Sequence, residues 1–183
     1  MTREQNGESQ ARVKLRKLWQ PRDLFHVFSR YPRRRGARQV DRLAGILKNG
    51  LVAPGVCDDG SVCSDLLITA TGLSTPYDRL VFLHRFGSRS SIYTIIDPGR
   101  LAIFVDPELA VLTQEEMGRD WPVLCQDEVY VHDRVAVNKI IAIAVHPADV
   151  DSVLNEHRSE FELLGIPLYQ VDGTPVWPAS GRV

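Results

Sequence analysis

Cysteine is scarce in this 183-residue chain, with three residues, and so is methionine, with two. Cys57, Cys63 and Cys125 are odd in number, and five residues separate the first two, a spacing that suits neither a zinc knuckle nor a C-x-x-C redox pair. Three reduced thiols are the expectation. Long apolar runs are missing as well. The longest is Ile140 to Val145, six residues, where a bilayer-spanning helix needs roughly 20, so no membrane segment is expected. The sequence has no H-E-x-x-H, and its five histidines include no pair at helical spacing beside a carboxylate. It therefore predicts no metal site. Phosphate loops of the G-x-G-x-x-G and G-x-x-x-x-G-K-[ST] kinds are absent, as are a G-x-S-x-G elbow, internal repeats and low-complexity tracts. Met1 to Gln10 is polar, without the apolar stretch of a secretory signal, which predicts a cytoplasmic protein.

What is present is an ordinary globular composition with an uneven charge. At 44% apolar and 25% charged residues, the chain has the side chains for one buried core and is unlike collagen, coiled coils or disordered chains. Its net charge of −1 hides two opposed parts. Residues 1–48 hold 13 Lys and Arg against four acids, a surplus of nine positive charges, while the rest holds nine bases against 19 acids. Arg30, Arg33, Arg34, Arg35, Arg38 and Arg42 are the sharpest part of the basic block, and the forked guanidinium suits phosphate. Such a block either binds an anionic partner, DNA or RNA, or pairs with the acidic remainder of its own chain.

Residues 1–20, with Val13, Leu15, Leu18 and Trp19, read as a basic tail or short helix, and 21–183 as a single domain. Alternation predicts a first strand over Leu24 to Ser29, followed by an Arg-rich loop from Tyr31 to Gly36. Val40, Leu43, Ile46 and Leu47 then predict a helix that stops at Asn49-Gly50, with Leu51-Val52 extended. Further strands are expected at Leu80 to Phe86, Ser91 to Ile96, Leu101 to Val105, Gln126 to Val131 and Ile140 to Val145. Leu66 to Thr71 is ambiguous, and 106–124 reads as a connection. After Pro147, the residues Ala148, Val150, Val153, Leu154 and His157 predict a helix, and Ile166 to Val171 a last extended stretch. The expected class is α+β.

Two polar positions fall on predicted core strands. His26 sits between Phe25 and Val27, which puts its ring on the face opposite Phe25, where it needs a hydrogen-bonding partner. In "QDEVYV", Gln126, Glu128 and Tyr130 share one face of a strand, and Asp127, Val129 and Val131 the other. On an exposed sheet that face is only a solvated surface. On a cleft it is an amide and a carboxylate side by side.

The order of these pieces resembles the ADP-ribosyltransferase superfamily. A strand with a central His, a helix ending in "GILKNGL", β-prone segments and then "QDEVYVHDRVAVNKIIAIAV" are similar to its His/Tyr/Glu-type branch, which includes the DNA-targeting DarT toxins and the RNA 2′-phosphotransferases. The resemblance covers roughly residues 22 to 147. It implies a split mixed or antiparallel sheet with flanking helices and a cleft for NAD, which is consumed as substrate without a metal. By position, His26 matches the ribose-binding His, Glu128 the catalytic Glu, and Gln126 the residue two before it, which orients the Glu or the acceptor. Arg30, or another Arg of its cluster, would neutralise the pyrophosphate, with Arg33, Arg34 and Arg35 facing phosphate of the acceptor. The family's middle motif, a Tyr or Ser-Thr-Ser, is matched by Tyr93 in "SSIYTIID" or by Tyr77 in "LSTPYDRLVFLH". The activity implied is transfer of ADP-ribose to a macromolecule, nucleic acid before protein, as in a toxin. The alternatives are an RNA 2′-phosphotransferase-like activity and a catalytically silent nucleotide- or nucleic-acid-binding module.

Overall fold

Residues 24–29, 39–53, 56, 79–85, 100–117 and 128–178 are described by the computed structural model. The first strand, β1 (Leu24–Ser29), pairs antiparallel with β4 (Arg100–Val105) along its whole length. Against β3 (Leu80–Arg85) its ladder is much shorter, with only Leu24 opposite Arg85 and Phe25 opposite His84. β3 continues to β5 (Glu128–His132) over five opposed pairs. On the other flank β4 pairs with β7 (Ile140–Val145), β7 runs parallel to β8 (Leu168–Gln170), and β8 pairs with β9 (Pro175–Trp177). The result is a mixed seven-stranded sheet in the order β5-β3-β1-β4-β7-β8-β9. A second sheet joins β2 (Leu51–Val52) to β6 (Arg134–Val135). With its flanking helices this is an α+β fold. The ambiguous stretch 66–71, the expected strand at 91–96 and the basic tail lie outside the described residues.

Period-two alternation divides the apolar side chains between the sheet's two faces. On one face Leu24, Leu83, Ile103, Val129 and Ile143 form a core with the helices. The helices contribute Leu43, Ile46 and Leu47 of α1 (Gln39–Asn49) and Val153 and Phe161 of α3 (Val150–Leu164). The other face carries Phe25, Ala102, Phe104, Ala142, Ala144 and Tyr169. β7, "IIAIAV", serves both, which is why it lacks polar alternation. Its alanines leave room for Phe25 and Phe104, whose ring centroids are 5.8 Å apart.

Two turns fix where β5 lies. Gly50 ends α1 at φ +80°, with its N–H donating to the Ile46 carbonyl at 2.8 Å. A Cβ there would meet the Val135 carbonyl oxygen at 2.0 Å, so only glycine lets β2 lie against β6. Asp133, at φ +60°, turns β5 into β6. Its N–H donates to the Arg79 carbonyl, its carbonyl accepts from Ala53, and its carboxylate takes two hydrogen bonds from the Arg79 guanidinium. The end of β5 is thereby tied to the start of β3 and the end of β2.

The span 106–124, expected as a connection, contains a helical turn, α2 (Gln114–Met117). Thr113 and Glu116 form its capping box: the Glu116 carboxylate accepts from the Thr113 N–H at 2.7 Å and hydroxyl at 2.8 Å. Just before it, Leu112 exchanges two backbone hydrogen bonds with Tyr130, at 2.8 and 2.9 Å, on the flank of β5 away from β3.

Candidate functional site

Glu128 opens β5, and the register places it in a row that crosses the sheet. It lies opposite His84, His84 opposite Phe25, Phe25 opposite Phe104, and Phe104 opposite Ala142. Directly opposed residues of antiparallel strands project to the same side. Glu128 therefore belongs to the aromatic face, away from the helices. The next row on that side opposes Phe82 to Tyr130, whose rings meet edge to face with centroids 5.3 Å apart. His84 and Phe25 have ring centroids 5.5 Å apart.

The carboxyl is not on a solvated surface. Glu128 is 8% exposed, and Tyr130 is fully buried. The solvated-face reading fails because β5 is covered on this side as well as on the helical side. A buried carboxyl requires a partner, and the Tyr130 hydroxyl supplies one, donating to Oε2 at 3.1 Å. Burial raises the Glu128 pKa above its ordinary value, and the bond from Tyr130 offsets part of that rise. The face shared by Glu128 and Tyr130, expected from alternation, is thus joined by a hydrogen bond.

His26 occupies the place where β1 and β3 part. Their ladder ends at Phe25, and beyond it the His26 Nδ1–H donates to the Phe82 carbonyl at 2.6 Å. A carbonyl only accepts, so Nδ1 carries a proton. Burial lowers the His26 pKa to about 4, with the Phe82 bond opposing this and nearby His84 adding to it. In register His26 opposes Ile103, a residue of the helical-face core. Strand alternation therefore sets His26 and Glu128 on opposite sides of the sheet, two strands apart.

Gln126, Arg30, Tyr93, Tyr77, Arg33, Arg34 and Arg35 lie outside the described residues, as do the three cysteines. Sequence reasoning left His84 among the scattered histidines, because only the register reveals its row with Glu128. It placed Tyr130 beside Glu128 but gave it no role, although alternation already carried that signal. Among the described residues no group of three or more His, Cys, Asp or Glu is placed to hold a metal ion. No described helix is long and apolar enough to cross a membrane.

In chemical terms the site offers a desolvated carboxyl with a fixed hydrogen-bond donor, beside aromatic rings. A carboxylate so placed stabilises positive charge more strongly than one in water. Its raised pKa also suits it to proton transfer nearer neutrality. The chain matches no protein-family model, and no curated protein matches it.

Proposed function

We propose that this protein is an NAD-consuming enzyme of the ADP-ribosyltransferase type that transfers ADP-ribose to a macromolecular acceptor, with nucleic acid favoured by the basic N-terminal block. One observation carries this reading. The carboxyl that the sequence resemblance assigns to catalysis, Glu128, is buried, held by a phenol, and stands on the strand next to β3, which parts from β1 at His26.

In this reading the bond between nicotinamide nitrogen and ribose C1′ breaks, and its electron pair leaves with the nicotinamide, which becomes neutral. The ribose is left with oxocarbenium character, as in glycoside cleavage, and Glu128 stabilises that charge and holds a ribose hydroxyl. An acceptor oxygen or nitrogen then bonds to C1′, and its proton passes to solvent or to a basic group. His26 and Glu128 project to opposite sides of the sheet, so a nucleotide lying on one face alone does not meet both. In this reading His26 contacts a ribose hydroxyl. Gln126, Arg30 and Tyr93 keep their proposed roles of orienting the acceptor, neutralising pyrophosphate and contacting the nucleotide.

Calorimetric titration with NAD, run beside an assay for released nicotinamide in wild type and Glu128→Gln, tests the proposal. Saturable binding, with release that disappears in the variant, is the expected result. No binding at millimolar NAD, together with salt-dependent retention of nucleic acid, would move the reading to a silent binding module.

A further inference from the structure

The strongest unexplained feature of the site is the phenol beside the carboxyl. Tyr130 is fully buried, yet its hydroxyl faces no bulk water and spends its proton on Glu128 Oε2 at 3.1 Å. Described contacts hold both the ring and the backbone of Tyr130. Its ring packs edge to face on Phe82, and its backbone N–H and carbonyl are both bonded to Leu112. Leu112 in turn is followed directly by the Thr113–Glu116 capping box. A long, flexible carboxylate side chain is thus tied to an aromatic group that has little freedom of its own. Residues two apart on a strand are close enough for this only because they share a face.

We propose that Tyr130 is a positioning residue for Glu128: its hydroxyl fixes the rotamer of the carboxyl by holding Oε2, and so presents Oε1 to the substrate. This rests on the reading that Glu128 is the acting carboxylate, and it adds a residue to which the resemblance gives no role. The bond has a second effect. A hydroxyl donating to a carboxylate favours the ionised form and counters the burial of Glu128. Tyr130 therefore sets both where the charge is and at what pH it exists. Removing the hydroxyl leaves a carboxyl that is equally buried, harder to ionise and free to change rotamer.

The test compares wild type, Tyr130→Phe and Glu128→Gln, with glutamate labelled at the carboxyl carbon, and follows carboxyl titration by NMR. The Glu128 signal is identified by its absence from Glu128→Gln. In Tyr130→Phe its midpoint is expected to move upward, and the acid limb of the kcat profile for nicotinamide release to move with it. kcat at neutral pH is expected to fall about tenfold, the size of one charge-assisted hydrogen bond, with KM for NAD changing less than twofold. An unmoved midpoint and an unmoved acid limb would overturn the proposal. A shifted midpoint in Tyr130→Phe, with a wild type that never consumes NAD, would overturn the functional reading while leaving the pair as a structural bond, so the two failures are distinguishable. If Tyr130→Phe does not fold, replacement of tyrosine by 3-fluorotyrosine keeps the hydroxyl and makes it a stronger donor. The Glu128 midpoint then moves downward, and an unmoved midpoint overturns the proposal.

Discussion

The Nδ1–H of His26 donates to the backbone carbonyl of Phe82 at 2.6 Å, at the point where the ladder between their strands stops. A side chain thus supplies a cross-strand bond just beyond the last backbone pair, and the ring must be neutral to keep its desolvated place. That arrangement has a measurable consequence for stability.

His26 has its pKa lowered from 6.5 to about 4 in the folded chain, so between those values the unfolded chain binds more protons. Its contribution to stability is complete above pH 6.5 and is lost as pH falls towards 4, with a slope of at most about 1.4 kcal/mol per pH unit. Urea unfolding of wild type and His26→Gln between pH 4.5 and 7 should give a steeper decline in the wild type. Parallel curves would mean that the ring takes up its proton in the folded chain as it does in the unfolded one.

Glu128 has the opposite sign. Its raised pKa means that ionising it burdens the folded state, so the wild type loses stability as pH rises from the ordinary glutamate range through the raised value. Glu128→Gln keeps an acceptor for the Tyr130 hydroxyl and carries no charge. It is expected to be at least as stable as wild type at pH 8, while nicotinamide release falls about a hundredfold or more. Glu128→Ala is the poorer variant, because it strands a buried donor at a cost of about 1–3 kcal/mol. Thermal melts at pH 4 and pH 8, beside the release assay, check both statements. A Glu128→Gln protein with full turnover would sink the mechanism.

Gly50→Ala tests the junction that places β2 against β6. The substitution combines a backbone at φ +80° with a Cβ only 2.0 Å from the Val135 carbonyl oxygen, and a backbone atom cannot swing aside as a long side chain does. The expected loss is about 2–4 kcal/mol, read as a lower urea midpoint with an unchanged slope. A loss below about 0.5 kcal/mol would show that α1 and β2 can shift independently of β6.

Local order was legible where a segment carries its own pattern. Leu24–Ser29 is a strand as alternation predicts, α1 stops before Gly50 for the expected reason, and "IIAIAV" is a strand buried on both sides. β6 and β9, of two and three residues, are too short for a period to register. α3 runs past His157 to Leu164 with one buried residue, Phe161, in that stretch, and Leu163 is 85% exposed. The shared face of Glu128 and Tyr130 was readable for the same reason as the strands. The burial of Glu128 was not, nor was its row with His84 and Phe25, because register is fixed by strands distant in sequence. A slip of one residue, His26 opposite His84 in place of Phe25, would have put His26 and Glu128 on one side.

The basic block separates two physical alternatives that composition leaves open. If Arg33, Arg34 and Arg35 contact nucleic-acid phosphate, each releases counterions, and the logarithm of affinity falls with the logarithm of salt by about 0.9 per contact on duplex DNA, or 0.7 on single strands. Replacing all three by Ala should then lower the slope by about two to three and weaken binding more at 50 mM than at 200 mM salt, without moving the melting temperature. If the arginines instead pair with the acidic remainder of the chain, the triple variant should melt earlier and keep its salt slope. Fluorescence anisotropy with duplex and single-stranded oligonucleotides over a salt series, beside a thermal melt, tells the two apart. An unchanged slope would remove nucleic acid as the acceptor favoured by this block, and protein acceptors would become the first to test.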